Sequence, residues 1–524
     1  MLTQDEVPRP THPRSLSFYV AFVCIVLPLY SLAPLAWLYV AAFTAAAFTT
    51  TSPQWIDLSW TSHFLARVAL VYACIEVVFS LYHFYIFHLV TNSFLPLIVD
   101  IHVLRRCLIR VLQAGLVQTT PETLEQEMDK FEKQSIFEAL PFDDPRAVDF
   151  RNCLRTWFRG VPFSEIRRAD VYAWLYWATY GLPFPGLKAL DEVHRAALQD
   201  AMQLLEYRVG CEIPEGSNPD ARPYLLRLDP ISVWARPFVL YALVGLGNLW
   251  LRRHLARAYS AREGSFGDME YIISAPEGWN PSPSSPAPIV FLHGLGVGPL
   301  QYASTIKDLL RAVPDRPVLI IRQPSISQDI FHRNHLRPMD KQDMVNTLHG
   351  LLESLGWTEH GVTILSHSNG SIPHAWMVKE HPQVIRRSCF VDPVVFTTWE
   401  GDVCHNFVYR PPHDAITLLM RYFVGCEVGI AQTIQCRFNW AENTLFFEDI
   451  PQGHDPRFAR FYLGGMDSIV ASARVKRYLM DHGVQDGEGI MWDATGRHGE
   501  AILTNSKQIE EVLAWLAADV PHKA

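Results

Sequence analysis

GVTILSHSNGSIPHAWMVKEH, residues 361–381, contains the pattern that decides the fold. The continuous apolar run GVTILS is typical of a buried strand, and SIPHAWMVKEH is typical of a helix. Between them stand Ser366, Ser368 and Gly370. A serine on so sharp a strand-to-helix turn projects its hydroxyl from the top of a sheet, and it needs small residues on both sides because the two backbones crowd there. Ser368 is therefore the candidate nucleophile, and Gly370 supports its turn.

The same alternation of strand and helix continues on both sides of this turn. PVLIIRQ, residues 317–323, predicts a buried strand, and residues 340–355 predict an amphipathic helix that ends at Gly356. Alternation of this kind predicts an α/β fold with a mostly parallel sheet and helices on both faces.

Three features in chain order resemble the α/β-hydrolase superfamily of serine hydrolases. VFLHGLG, residues 290–296, ends a strand at His293-Gly294; the serine turn follows; and GMD, residues 465–467, and GRHGE, residues 496–500, come later. A serine hydroxyl is a weak nucleophile without a base, and the base needs a carboxylate that fixes its tautomer. The resemblance covers residues 267–524, which we expect to form the catalytic domain.

The resemblance implies a role for each of these positions. In this fold the order is serine, acid, histidine, which assigns the acid to Asp467 and the base to His498. The backbone amides of Leu295 and Asn369 become the oxyanion donors, and His293 and Gly294 shape the oxyanion loop. Asp392, which ends the strand before the lid, is an alternative acid, because some lipases carry it there. An aspartate nucleophile, as in epoxide hydrolases of this fold, is disfavoured by Ser368. A lid insertion is expected over residues 394–457.

The N-terminal part is apolar enough for a membrane. No charged residue occurs from Leu16 to Ile56, and residues 68–90 carry only Glu76. About 20 apolar residues span the hydrocarbon, so we expect about two transmembrane helices within residues 16–110, after a tail of residues 1–15. Pro28 and Pro34 either kink one long helix or mark a hairpin of two short ones. Glu76 is expected to face a partner helix or to be held protonated.

Basic residues flank this region on both outer sides, at Arg9 and Arg14 and at Arg105, Arg106 and Arg110. They favour a hairpin anchor with both ends and the catalytic domain in the cytosol, at the endoplasmic reticulum or a lipid-droplet surface. The apolar stretch of residues 237–251 is expected to be an interfacial or buried helix. If it crossed the bilayer, the catalytic domain would lie on the other side.

Residues 111–266 predict a helical intermediate region. WFRGVPFSEIRRADVYAWLYWATYG, residues 157–181, resembles a segment of membrane-anchored α/β hydrolases that are found especially in fungi. No site residue is assigned from this resemblance.

Composition excludes several other classes of protein. The net charge is −9 without a run of Lys and Arg, which disfavours nucleic-acid binding. The nine cysteines contain no CxxC pair, which disfavours a disulfide framework or a zinc site. The motif His332-Arg333-Asn334-His335 predicts a surface loop because it lacks a third ligand. No metal and no cofactor are expected.

The sequence therefore predicts a membrane-anchored serine hydrolase that cleaves a lipophilic carboxylic ester, with membrane lipid as its other partner. Two alternatives stay open at this point. An acyltransferase or thioesterase would carry the same motifs, and a catalytically silent hydrolase fold would serve as a membrane-bound interaction module.

Overall fold

An eight-stranded mixed sheet organises the C-terminal half of the chain. The computed structural model describes residues 4–48, 64–92, 101–114, 138–282, 285–503, 506–518 and 520. The strands are β1 (Arg262–Phe266), β2 (Met269–Ser274), β3 (Ile289–Leu292), β4 (Val318–Arg322), β5 (Val362–His367), β6 (Ile385–Val391), β7 (Ala459–Gly464) and β8 (Ile490–Asp493).

The strand order is β1-β2-β4-β3-β5-β6-β7-β8. β2 pairs antiparallel with β1 and with β4, and all other neighbours are parallel. This is the mostly parallel α/β-hydrolase fold that the sequence predicted. The sheet begins at Arg262, ahead of the expected domain start at residue 267, because β1 forms a hairpin with β2 across Gly267.

Alternating strand residues build an apolar core on each face of the sheet. On β3, Val290 and Leu292 belong to one core, and Ile289 and Phe291 belong to the other. This alternation follows from the two-residue period of a strand. The helices that flank the sheet are α8 (Ala303–Ala312), α9 (Lys341–Ser354), α10 (Ser371–Glu380), α11 (Ser472–Asp481), α12 (Glu500–Leu503) and α13 (Lys507–Ala517).

The intermediate region is helical in the part that is described, and residues 115–137 lie outside it. Its helices are α3 (Ile101–Gln113), α4 (Pro145–Leu154), α5 (Arg168–Tyr180), α6 (Glu192–Val209) and α7 (Phe238–Tyr259). Trp157 is 1% exposed, and its indole nitrogen donates to the carbonyl of Trp399 in the lid (2.7 Å). One continuous core therefore joins this region to the lid and to one face of the sheet.

The insertion between β6 and β7 covers the residues for which the sequence predicts a lid, and that name is kept for it below. It contains the short helices Asp402–Cys404, Ala415–Met420, Val428–Ala431 and Trp440–Asn443. The prediction that His332-Arg333-Asn334-His335 forms a surface loop was wrong for His335, which is not on the surface. Its side chain is 2% exposed, and its Nε2 lies 3.4 Å from a carboxylate oxygen of Glu427. The lid covers this loop, which no local pattern indicates.

Two helices are long and apolar enough to cross a membrane within the described ranges. They are α1 (Leu16–Phe48), in which an 18-residue window has a mean hydropathy of 2.1, and α2 (Phe64–Asn92), in which an 18-residue window has a mean hydropathy of 2.0. Pro34 lies inside α1 without ending it.

The expected partner of Glu76 is found, because its carboxylate accepts from the amide of Phe238 at the start of α7 (2.9 Å) and from the hydroxyl of Tyr72 (2.8 Å).

The N-terminal tail packs on the intermediate region. Asp5 and Arg151 are both buried and form an ion pair of 2.5 Å. The Arg155 guanidinium donates to the carbonyl of Gln4 (2.8 Å), and the amide of Arg9 donates to the carbonyl of Gly160 (2.9 Å). The chain segment before α1 and the chain segment after α2 therefore both pack on the part of the protein that contains the sheet.

Helix α7 is longer than predicted. It runs through Arg252-Arg253-His254 and ends only at Ser260, whose φ is +51°. Leu251 and Leu255 are fully buried against the sheet, and this burial keeps the charged turn helical. The predicted end at residue 251 was wrong. Basic residues in a sequence can mark the end of a helix, but they can also lie on its exposed face while the helix continues.

Candidate active site

The turn after β5 holds Ser368 in a strained conformation. Its φ is +52°, a left-handed value that side-chain-bearing residues seldom adopt. A Cβ built on Gly370 would lie 2.1 Å from the carbonyl oxygen of Leu292, so no larger residue fits between β3 and α10. The hydroxyl of Ser371 donates to the carbonyl of Ser368 (2.6 Å) and fixes the first turn of α10. Ser368 thus stands at the carboxyl end of a central strand.

Ser366 occupies the place where a glycine is usual, and the structure shows how its hydroxyl is accommodated. Its Oγ lies 2.8 Å from Nδ1 of His374, and Nε2 of His374 lies 3.1 Å from the hydroxyl of Ser388. All three side chains are buried. Burial lowers the pKa of His374 to about 3, so the ring is neutral and pairs with both hydroxyls. No local pattern in the sequence indicates this buried cluster of Ser366, His374 and Ser388.

Ser368, His498 and Asp467 lie in a hydrogen-bonded row. Nε2 of His498 is 2.8 Å from Oγ of Ser368, and Nδ1 is 2.6 Å from Oδ2 of Asp467. The other oxygen of Asp467 accepts from the amides of Ile469 (2.7 Å) and Val470 (2.9 Å), which orients the carboxylate. The structure therefore brings together three residues that are far apart in sequence, at distances that suit proton transfer.

Asp392 lies beside this row without joining it. One of its oxygens accepts from the amide of Gly464 (3.1 Å), and the other accepts from the amide of Gly499 (2.7 Å). Gly464 ends the strand that leads to Asp467, and Gly499 follows His498. Asp392 thus ties the acid loop to the histidine loop, while the histidine hydrogen-bonds to Asp467.

The two carboxylates change the acid–base properties of His498. Burial by itself lowers the pKa of His498, but the charge of Asp467, its hydrogen bond and the charge of Asp392 together raise it to about 9. Burial and the charge of Asp467 together raise the pKa of Asp392 to about 6, although the charge of His498 and the two backbone amides lower it. Above pH 6 both carboxylates therefore favour the protonated imidazole.

The loop after β3 lies against Ser368. A Cβ built on Gly294 would be 3.0 Å from Cβ of Ser368, so this glycine permits the approach. The amides on either side of Leu295 are engaged: Gly294 donates to the hydroxyl of Tyr302 (2.9 Å), and Gly296 donates to the carbonyl of Ile326 (3.1 Å). The amide of Leu295 donates to no group within the described part of the chain. Asn369 lies in the first helical turn, where amides have no partner within the helix.

Two histidines hold this loop, and sequence reasoning identified only one. His293 is fully buried; its Nδ1 lies 2.9 Å from the carbonyl of Gly294, and its Nε2 accepts from the amide of Gln323 (3.3 Å). Nδ1 of His367 lies 2.6 Å from the Tyr302 hydroxyl, which itself accepts from Gly294. Tyr302 and His367 therefore brace the oxyanion loop against the serine turn. Tyr302 lies in no motif, so the sequence could not indicate it.

A cavity of about 520 Å³ adjoins the serine turn on the side of Asn369. Its lining is amphipathic. The apolar part comes from Met269, Ile321, Met344, Ile372, Trp376 and Phe438, and the charged part combines the cations Arg227, Arg322, Arg337, Lys341 and Arg437 with the carboxylates Asp268, Asp340 and Glu442.

Asp392, Asp467 and His498 also form the one group of described residues whose ligand atoms lie close enough for a metal, within 4.8 Å of one another. These atoms are already engaged. Both oxygens of Asp392 accept from backbone amides, and Nδ1 of His498 pairs with Asp467. The atoms that could ligate a metal are thus already used in hydrogen bonds within the protein.

No protein-family model and no curated protein matches the sequence. Solved structures do match. A putative lipase from Acinetobacter baumannii AYE is 14% identical and covers 52% of this chain and 95% of its own, with a TM-score of 0.35. A membrane phospholipase A described as a bacterial virulence factor is 13% identical, covering 53% and 92%, with a TM-score of 0.34. Naproxen esterase from Bacillus subtilis is 14% identical, covering 52% and 98%, with a TM-score of 0.32.

The raised pKa of His498 predicts an alkaline pH dependence for any reaction that uses its neutral form as a base. With a pKa of about 9, most of the imidazole is protonated at pH 7, and activity increases as the proton is lost. We expect kcat/KM for a short-chain ester to increase about tenfold or more between pH 7 and pH 9. Initial rates across that range test this. A plateau already reached at pH 7 would contradict it.

The two carboxylates are expected to differ in their effect on rate. Asp467→Asn should lower kcat by about 10⁴, the loss seen when the triad acid of a serine protease is replaced by its amide. Asp392→Asn should lower kcat much less and should shift the alkaline limb to lower pH, because one negative charge beside His498 is removed. Both amides have the volume of the acid they replace, so each is the control for the other. The reverse ranking would assign the acid to Asp392.

Proposed function

We propose that this protein is a membrane-anchored serine hydrolase that cleaves a carboxylic ester of a lipophilic acid. The observation that carries the proposal is the hydrogen-bonded row of Ser368, His498 and Asp467 at the carboxyl end of the sheet. Ser368 attacks the acyl carbonyl, and His498 takes the hydroxyl proton at Nε2. The C–O bond to the alcohol breaks as His498 returns that proton to the leaving oxygen. Water then cleaves the acyl-enzyme by the same two proton transfers.

In this proposal the amides of Leu295 and Asn369 bind the oxyanion of each tetrahedral intermediate. The engaged neighbours of Leu295 support this assignment, since they hold the loop while leaving that amide available. A donor of this kind stabilises the transition state by about 2.7–4 kcal/mol in a serine protease. Asp467 holds His498 with Nδ1 protonated, which leaves Nε2 for the serine. The reaction thus uses side chains and backbone only, and we propose no cofactor or metal for it.

The amphipathic cavity beside Asn369 supports an ester with an apolar acyl chain and a polar end. An acyltransferase or thioesterase would use the same row of residues, and product analysis separates those reactions from hydrolysis. The hydrogen bonds of Ser368 and Asp467 to His498 favour an enzyme over a silent interaction module, which has no need to keep this geometry.

For the membrane part, we propose a hairpin of α1 and α2 whose two ends return to the same side. The buried pair of Asp5 and Arg151 before α1, and the pairing of Arg110 with Glu448 (3.2 Å) and Asp449 (3.0 Å) after α2, support this arrangement. The flanking arginines and the nine free cysteines favour the cytosol for that side. The endoplasmic reticulum or a lipid-droplet surface would suit such an anchor.

A fluorophosphonate probe tests the catalytic proposal. It should label the wild-type protein in membranes and fail to label Ser368→Ala, because only an activated serine reacts with the probe. Ser371→Ala is the matched control, since this serine lies three residues away, and it should keep its labelling as long as it folds. Equal labelling of a folded Ser368→Ala variant would show that another residue is the nucleophile.

The hairpin predicts that tags at the two termini behave alike. In sealed microsomes, a protease added outside should remove an N-terminal tag and a C-terminal tag without detergent, because both lie on the cytosolic side. Alkaline carbonate should leave the protein in the membrane pellet. Protection of one tag alone would contradict an even number of membrane crossings. Protection of both tags would place the termini and the sheet domain in the lumen. Release of the protein by carbonate would contradict membrane-spanning helices.

A further inference from the structure

Helix α7 touches the oxyanion loop with one of its faces. The side-chain amide of Asn248 donates to the carbonyl of Val297 (2.9 Å). A Cβ built on Gly247 would lie 2.5 Å from a methyl carbon of Leu300, which shows how closely the helix approaches. Leu251 and Leu255 on this face are fully buried against the sheet. The position of the loop that carries Leu295 therefore depends on α7.

The outer face of α7 carries three large hydrophobic side chains that are more than half exposed: Leu243 (59%), Leu246 (63%) and Trp250 (56%). Their spacing of three and four residues places them on one side of the helix. Arg252 and Arg253 follow directly. An apolar stripe that ends in Trp and Arg is typical of a helix that lies in a membrane interface.

The beginning of α7 lies beside the middle of α2. The carboxylate of Glu76 accepts from the amide of Phe238 (2.9 Å), and the ring of Phe79 lies 5.6 Å from that of Phe238 and 5.4 Å from that of Tyr241. Further along α2, the ring of His83 lies 6.5 Å from that of Tyr241. Helix α7 therefore begins beside the middle of α2, and the two helices run in the same sense.

The length of α2 then fixes how deep the beginning of α7 lies in a bilayer that α2 crosses. From Phe64 to Glu76 the helix rises by about 18 Å, at 1.5 Å per residue. The hydrocarbon core is about 30 Å thick, so a bilayer crossed by α2 extends past Glu76 and along the first turns of α7. Trp250 lies at most about 18 Å beyond Phe238 on the same measure. Leu243 and Leu246, about 26 and 30 Å from Phe64 on this measure, thus lie among the acyl chains and at their edge, and Trp250 and the arginines after it lie at the depth of the headgroups.

We propose that the outer face of α7, formed by Leu243, Leu246 and Trp250, is inserted into the membrane leaflet and contacts lipid acyl chains. Part of the proposed catalytic domain then lies within the bilayer, and only helix α7 separates the oxyanion loop from the lipid. The ester substrate is then a molecule dissolved in that leaflet. This inference rests on the proposed membrane anchoring and hydrolase activity, and it adds the source of the substrate.

Photo-crosslinking in proteoliposomes tests the contact directly. The full-length protein is reconstituted in phosphatidylcholine that includes a phosphatidylcholine with a diazirine on its acyl chain, and labelled peptides are identified by mass spectrometry. Lipid adducts are expected on α2 and on residues 243–250. None is expected at Val193 or Met480, which are exposed hydrophobic residues of α6 and α11.

Each other labelling pattern would overturn the inference. Adducts on α2 without adducts on α7 would refute the inserted face and leave the membrane anchor intact. Absence of lipid adducts from α1, α2 and α7 would overturn the anchor as well.

Kinetics separate this inference from the catalytic proposal. The variant Leu246→Ser/Trp250→Ser should hydrolyse water-soluble p-nitrophenyl butyrate within about twofold of wild type and hydrolyse bilayer-embedded p-nitrophenyl palmitate at least about tenfold more slowly, because less apolar area holds the helix in the leaflet. Val193→Ser/Met480→Ser is the matched control and should change neither rate. Equal loss on both esters, or loss on neither, would overturn the inference, whereas absence of esterase activity in wild type would overturn the proposed function.

Discussion

The left-handed backbone of Ser368 is the constraint on which the rest of the catalytic half depends. A residue with a side chain holds that conformation only where its surroundings enforce it. Here β5 enters the turn from a fully buried sheet, Gly370 lets α10 pass beside the carbonyl of Leu292, and Ser371 bonds back to the carbonyl of Ser368. The order of the strands places this turn at the centre of the sheet, where the loops after β3, β7 and β8 converge.

Around that turn, buried polar groups fix three loops that have no regular structure. Tyr302 and His367 hold the loop after β3, and Asp392 joins the loops after β7 and β8 through two backbone amides. Each hydrogen bond of this kind is worth only about 1 kcal/mol net, but leaving one buried partner without it costs more. Such a network favours one arrangement of the loops, which is what a nucleophile, a base and an acid from separate segments require.

The membrane part and the catalytic part share contacts along their length. Glu76 in α2 accepts from the first amide of α7, and α7 touches the loop after β3 with Asn248 in its middle. A carboxylate at a helix N-terminus is favourable because unpaired amides point toward it. An acid in an apolar helix is costly without a partner, so this contact fixes how α2 meets the body.

The sequence by itself determined the elements whose signal is local. Apolar runs of strand length, the small residues around Ser368 and the long uncharged segments predicted the α/β fold, the serine turn and two apolar helices, because strands, turns and spanning helices depend on neighbouring residues. Chain order in a resembling family also selected Asp467 and His498, and the structure places both beside Ser368. Their catalytic roles stay predictions until the variants are measured.

Only the tertiary structure decided the features that depend on distant partners. Helix α7 continues past its arginines because Leu251 and Leu255 meet the sheet, and His335 is buried because the lid lies over it. Tyr302 and Asp392 acquire their positions from segments tens of residues away. Burial and hydrogen bonding across the fold are set by the packing of all the segments together, and a local pattern carries no information about which distant residue will arrive there.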